Sequence, residues 1–289
     1  MREPIECEGT PRDLGLDQGR ACADALRMRF GAQPWWERFR LQAGLASADR
    51  ARLLRDLKRH FPHQWESLAG MAVGARVPTG WLAQELAGGE AALPVAVAIH
   101  HERVLLARGL GREWVTRRSR PEGLFASVEV TYPCLTAALA GVNERGLAVA
   151  AVGTRDAATE RCAAPASLLA QDCLERFEAT PAALEWCLGR PGGGRGTVWL
   201  ADARGELASV EFAGAERRVL RPSEGLLVSG GGAAREEELA KALREAAPLD
   251  APALARRIEG DAVALDPRER RLVVGGLAHK SHQVAVATW

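Results

Sequence analysis

The chain has 289 residues, 47% hydrophobic and 26% charged, with a net charge of +1, which is an ordinary globular composition. Such a balance supplies no field that would gather nucleic acid or an anionic membrane. No apolar run approaches the roughly 20 residues that a spanning helix needs, so neither a nucleic acid nor a membrane is expected as a partner. The N-terminal MREPIECEGTPRD has no apolar stretch of the secretory kind. A cytoplasmic protein with reduced thiols is therefore expected for Cys7, Cys22, Cys134, Cys162, Cys173 and Cys187, which show no CxxC spacing. Only Lys58, Lys241 and Lys280 are lysines among 38 basic residues. With abundant alanine, this reads as the codon bias of a GC-rich bacterial genome rather than as an arginine-rich binding surface.

Residues 12–87 read as helical. LGLDQGRACADALRMRF, PWWERFRLQAGL, SADRARLLRDLKRHFP and PHQWESLAGMAVGA carry apolar residues at helical spacing. Ser47 is a candidate N-cap, and Pro62 ends one helix and starts the next. From residue 94 the period changes: PVAVAIH, RVLLARGL, ASVEVTY, LTAALAGV and GLAVAAVG are short and punctuated by turn residues, as strands are. Two helices follow, APASLLAQDCLERFEA and TPAALEWCLGR, the second with Thr180 as cap and Pro181 at its first position. GTVWLADARGELASVEFAG predicts a hairpin turning at 202–205. LLVSGGG predicts a strand, AAREEELAKALREA and APALARRIEG helices, DAVALDPRERRLVVGG a hairpin turning at 266–268, and HQVAVATW a closing strand. The order predicts an α+β fold with antiparallel sheets, in one domain over 1–289: a helical part at 1–87, then a core at 88–289.

The chemistry is hard to find by spacing. GGGRG at 192–196 lacks the Lys-Ser/Thr of a phosphate loop and reads as a hairpin connection. SGGGAAREEEL at 229–239 opens a helix whose N-terminus could hold an anion, but no βαβ unit surrounds it. His60/His63 and His279/His282 are close pairs; Pro62 interrupts the first, and no acid or Cys near the second completes a metal shell. Rim histidines, no metal and no cofactor are expected. The eight tryptophans read as core and helix-packing residues. Cys134, in TYPCLTAAL, reads as a buried thiol, with a nucleophile as the alternative, since no base can be assigned to it by spacing.

Five stretches in order do resemble a known family. EGTPRDLGLDQGRA (8–21) is similar to a glycine-bearing opening helix, and GVNERGLAVAAVG (141–153) to a Gly-x-Asn-x-x-Gly-Leu-Ala turn. PASLLAQDCLERFEATPAALEW (165–186) is similar to a helix pair, TVWLADARGELASVEF (197–212) to an Asn-x-x-x-x-Asp-x-x-Gly hairpin, and DAVALDPRERRLVVGGLAH (261–279) to a closing hairpin. The family is the acyl-coenzyme A:6-aminopenicillanic acid acyltransferase-like branch of the N-terminal-nucleophile (Ntn) hydrolases. The resemblance implies an αββα sandwich, two antiparallel sheets between helical layers. It also implies amide acyl transfer or hydrolysis by a Cys that self-cleavage frees, its α-amino group serving as base.

Carried over position by position, the resemblance puts the nucleophile at Ala92, with Leu93 and Pro94 in place of a small polar pair and Ala91 before the cut. The strand that normally ends Arg-Asn-x-Asp reads Arg108-Gly109-Leu110-Gly111, keeping the Arg and losing the Asp. Thr197 stands for the oxyanion Asn, and Ser229-Gly230-Gly231 for a Thr-Asn-His segment. With four chemical positions altered, self-cleavage is not expected. The expectation is a degenerate member that binds a small molecule or a protein partner through Arg108, Asn143, Thr197 and Ser229, either as a homo-oligomer or paired with an active homologue. The alternative is a hydrolase or acyltransferase with relocated chemistry at Cys134 or Thr197.

Overall fold

Strand β1 (Ile5–Gly9) runs into a helical segment: α1 (Pro11–Ala21), α2 (Ala23–Gly31), α3 (Trp35–Gln42), α4 (Ala48–His60), α5 (Pro62–Ala75) and α6 (Thr79–Ala87). Next come β2 (Ala96–His100), β3 (Val104–Gly109), β4 (Val115–Pro121), β5 (Ser127–Thr131), β6 (Ala140–Asn143) and β7 (Leu147–Thr154). Helices α7 (Ala166–Arg176) and α8 (Thr180–Gly189) precede β8 (Arg195–Asp202), β9 (Leu207–Ala213), β10 (Glu216–Leu220) and β11 (Leu226–Ser229). The chain closes with α9 (Ala233–Arg244), α10 (Ala251–Arg257), β12 (Asp261–Asp266), β13 (Arg271–Gly276) and β14 (His279–Val284). This computed structural model describes residues 3–42, 48–87, 96–100, 103–111, 113–154, 165–191, 195–222, 225–229, 233–245, 250–258, 260–276 and 279–284.

The strands form two sheets, ordered β1-β4-β5-β6-β7-β8-β9-β10 and β11-β2-β3-β12-β13-β14. Every pairing is antiparallel except β1 with β4, a parallel edge (Ile5 opposite Arg117) that the sequence did not predict. Alternation along the strands builds three apolar layers. Val149, Val198 and Leu200 face α7 and α8 on one outer side. Ala150, Val152, Trp199, Leu106 and Val263 meet between the sheets. Ala107, Ala264 and Val273 face Leu254 and Ala255 of α10 on the other outer side. The fold is thus α+β, an αββα sandwich with the expected layering.

Besides β1, two strands escaped the sequence because their pattern is polar. β4 (VTRRSRP) buries Arg117 in a polar network, and β10 (ERRVL) is a largely exposed edge that needs only backbone pairing with β9. The tryptophans also divide. Trp81 and Trp199 are fully buried, but Trp35 and Trp36 on α3 are 70% and 55% exposed, so they are not core residues. The proposed cap Ser47 lies outside the described residues, whereas Pro62 does open α5.

Helix α1 is set by a capping box, in which the Asp13 N–H donates to Thr10 Oγ1 and the Thr10 N–H donates to Asp13 Oδ2. It lies backbone to backbone on α5. A Cβ at Gly15 would come within 1.8 Å of the Ser67 carbonyl oxygen, and one at Gly70 within 2.0 Å of that of Arg12. Only glycine allows this approach. It fixes where the first turns of α5, with His63, Gln64 and Ser67, meet the rest of the molecule.

Candidate functional site

Register gathers most of the positions implied by the resemblance at one end of the sandwich. Arg108 on β3 pairs with Ala96 of β2, and Ala96 pairs with Ser229 of β11, so the three stand in one row across the six-stranded sheet. On the facing sheet Thr197 pairs with Val152. Thr197 shares the strand face of Trp199 and Ala201, so this half-buried residue looks into the space between the sheets. Ala92, the nucleophile position, lies outside the described residues, as do Gly230 and Gly231.

Arg108 is completely buried at this end. Its Nε donates to the Gly109 carbonyl at 3.0 Å, and its Nη1 donates to the carbonyls of Leu139 (3.1 Å) and Ala151. Two of these bonds tie β3 to the main chain of the opposite sheet, and the third closes on β3 itself. Gly111, where the resemblance would have a carboxylate, donates its N–H to the Tyr132 hydroxyl at 3.1 Å. A Cβ at Gly111 would stand 2.5 Å from that same oxygen. The only tyrosine of the chain thus fills the space of the missing side chain with a neutral group.

Asn143 is not part of this arrangement. It sits at the far end of β6, in the turn before β7, and is fully buried. Its Nδ2 donates to the carbonyls of Leu174 and Phe177, both at 2.8 Å, while its Oδ1 accepts from the N–H groups of Arg145 (3.1 Å) and Leu147 (2.9 Å). Asp202, opposite Leu147 at that same end, accepts from the N–H groups of Arg204 (2.9 Å), Glu206 (3.1 Å) and Thr180 (2.8 Å). These residues pin two hairpin turns to α7 and α8. Asn143 has both donors and both acceptor sites engaged, so it has no hydrogen-bonding capacity left for a ligand. Nor does Thr180 cap α8: it is the first helical residue, and Asp202 caps the helix from another strand.

Cys134 is buried in the loop between β5 and β6, near the ion pair of Arg29 and Glu85 (3.0 and 2.6 Å). Burial, with the Glu85 carboxylate close by, pushes its thiol up to about 12, Arg29 opposing. A thiol so placed is protonated at neutral pH and lacks the positive setting of an activated nucleophile. Cys7, Cys22, Cys134, Cys173 and Cys187 form no disulfide among the described residues, and Cys162 lies outside them.

Sequence reasoning missed a second polar site, between α1, α5, α7 and the strands β4 and β5. Arg117, fully buried, donates from Nε to Glu129 (2.8 Å), from Nη1 to Gln18 (2.5 Å) and the Thr136 carbonyl (2.8 Å), and from Nη2 to Glu129 and Gln171 (3.0 Å). All five of its N–H groups are engaged. Glu129 also accepts from Ser127 (2.6 Å) and Gln171 (3.0 Å). Beside this closed pair, His63 Nε2 lies 2.6 Å from Asp172 Oδ1, and Glu175 is bonded to Gln171 Nε2 at 3.0 Å. Burial pushes the Glu175 carboxyl up to about 7, against the pull of His63. His63, expected at the surface or a rim, is only 15% exposed and faces a fully buried carboxylate. The partner is 109 residues away, so local spacing could not show it. The available signal was Gln171, Asp172 and Glu175 themselves, polar residues on a helix buried almost all round.

No family model matches the chain, and no curated protein sequence matches it. Among solved structures it is similar to penicillin V acylase from Agrobacterium tumefaciens (TM-score 0.44, 13% identity, 66% of this chain and 86% of that one). It is also similar to the Caenorhabditis elegans N-acylethanolamine-hydrolyzing acid amidase ortholog (TM-score 0.46, 11% identity, 60% and 93%). A mutant conjugated bile acid hydrolase from Clostridium perfringens gives a TM-score of 0.41 at 9% identity over 66% and 92%. Likenesses this distant say nothing of substrate, so function has to be read from the chain's own residues.

Proposed function

We propose that this chain is a non-catalytic relative of the Ntn amide hydrolases, with the sandwich kept as a scaffold that binds a small molecule or a protein partner at the Arg108–Thr197 end. The observation that carries the reading is the Tyr132 hydroxyl in the space a Gly111 side chain would take, 3.1 Å from the Gly111 nitrogen. A neutral phenol there, Ala at position 92 and an Arg108 committed to main-chain carbonyls leave no nucleophile–acid pair at the positions the resemblance names. Cys134, the alternative nucleophile, is disfavoured by a thiol held near 12.

Intact mass of the expressed protein, followed by incubation with amide and acyl-coenzyme A substrates, tests the reading. The expected result is an uncleaved chain and no turnover. Cleavage in front of residue 92, or amide hydrolysis that is lost on Thr197→Ala or Cys134→Ala, would overturn it. Thermal-shift screening with amide-bearing small molecules should then find ligands whose effect is lost on substitution of Thr197.

A further inference from the structure

The cluster between α5 and α7 holds two buried carboxyl groups with no arginine or lysine of their own among the described residues. Arg117 and Glu129 cancel each other through direct bonds, which leaves Asp172 and Glu175, both buried, with the His63 imidazole alone. Buried charges are otherwise paired or bound to metals. One donor atom from each of His63, Asp172 and Glu175 lies within 4.8 Å of the others; ~2.1 Å bonds in a tetrahedral shell set such atoms ~3.4 Å apart, so the side chains close by over an ångström on an ion.

A cavity of about 30 Å³ adjoins His63 and Glu175 and is also lined by Gln64 and Thr136, with Asp172 set behind His63. That is about the volume of one water. Gln64 and Thr136 are only 4% and 2% exposed, yet Gln64 Oε1 and Thr136 Oγ1 have no hydrogen-bond partner. Unpaired buried polar atoms cost roughly 1–3 kcal/mol each, and here two of them belong to residues lining the cavity beside Glu175 and His63. Arg117 lines the cavity too, but its guanidinium is saturated and its charge answered by Glu129.

We propose that the His63–Asp172–Glu175 cluster at the edge of this cavity is a buried divalent-metal site, with these three as ligands and Gln64 Oε1 or a cavity water completing the shell. One imidazole with two carboxylates suits a borderline ion of the zinc or manganese class. The outer contacts are in place: Trp186 Nε1 donates to Asp172 Oδ2 at 3.3 Å and Gln171 Nε2 to Glu175 Oε1 at 3.0 Å, orienting the carboxylates as second partners do at metal centres. The ion replaces the direct His63–Asp172 hydrogen bond and fastens the N-terminal helices to the sandwich through α5 and α7. This site is separate from the Arg108–Thr197 end and independent of the function proposed for it.

Chelator-treated full-length protein titrated with Zn²⁺ and Mn²⁺ in a calorimeter, with Mg²⁺ and Ca²⁺ as comparators, tests the site. One ion should bind per chain, with a Kd in the micromolar range or tighter, and raise the melting temperature. Glu175→Gln and Asp172→Asn, which keep the side-chain shape, should each weaken binding at least tenfold, and His60→Ala should leave it unchanged. X-ray absorption of the zinc-loaded wild type, which needs no variant to fold, should show nitrogen and oxygen donors only. Absence of stoichiometric binding, preference for Mg²⁺ or Ca²⁺, sulfur in the shell, or binding indifferent to Glu175→Gln would each overturn the proposal.

Discussion

The two ends of the central strands are built from the same hairpins and have opposite polar character. At the turn end, Asn143 and Asp202 use their side chains on seven main-chain partners, among them the carbonyls at the close of α7 and the first N–H of α8. At the other end the positions that the resemblance assigns to chemistry hold Gly111, Thr197 and a buried Arg108 bonded to carbonyls. Removing the turn residues would strand backbone groups, a cost independent of any reaction. The turn motifs that carry the resemblance are therefore explained by the needs of the scaffold alone.

Breaking the turn end should be the costliest. Asn143→Ala leaves four buried backbone groups without partners and is expected to lose about 4 kcal/mol in urea unfolding, with an unchanged m-value. Asp202→Ala strands three N–H groups, one of them at a helix N-terminus, for about 3 kcal/mol. Asp202→Asn, which keeps an acceptor oxygen, should recover part of that.

At the other end the effects shrink. Gly111→Asp forces the Tyr132 ring aside and should cost roughly 1–3 kcal/mol, the range of overpacked sites. Combining it with Tyr132→Ala should cost less than the sum of the two singles, a coupling readable in a double-mutant cycle. If Gly111→Asp is neutral alone, the Tyr132 hydroxyl does not fill that space. Thr197→Ala should change stability by less than about 1 kcal/mol, as most substitutions away from buried networks do.

The thiol at Cys134 gives a pH test of the same end. Its folded-state pKa is raised from 9.0 to about 12, so its contribution to stability is complete below pH 9 and is lost as pH climbs towards 12. Native Cys134 should resist iodoacetamide at pH 8 and label fully on unfolding, as peptide mapping would show. Fast native labelling at pH 8 would put the thiol in a different environment and revive it as a nucleophile.

The sequence by itself determined the helical N-terminal segment, the switch to short strands near residue 94, the hairpins at 202–205 and 266–268, and the absence of a nucleophile from 88–111. These rest on local periodicity and turn chemistry, which neighbouring residues set. It hid β4, because a buried arginine looks like a surface one until its partner Glu129 is placed opposite. It also misread Asn143, whose helix carbonyls lie 31 and 34 residues away. Tertiary structure alone decided that Tyr132 meets Gly111, that Trp35 and Trp36 face solvent, and that His63 meets Asp172 and Glu175. Each joins residues from different elements. Their proximity follows from how glycine-backed helices and twisted sheets pack, and local spacing along the chain holds no record of it.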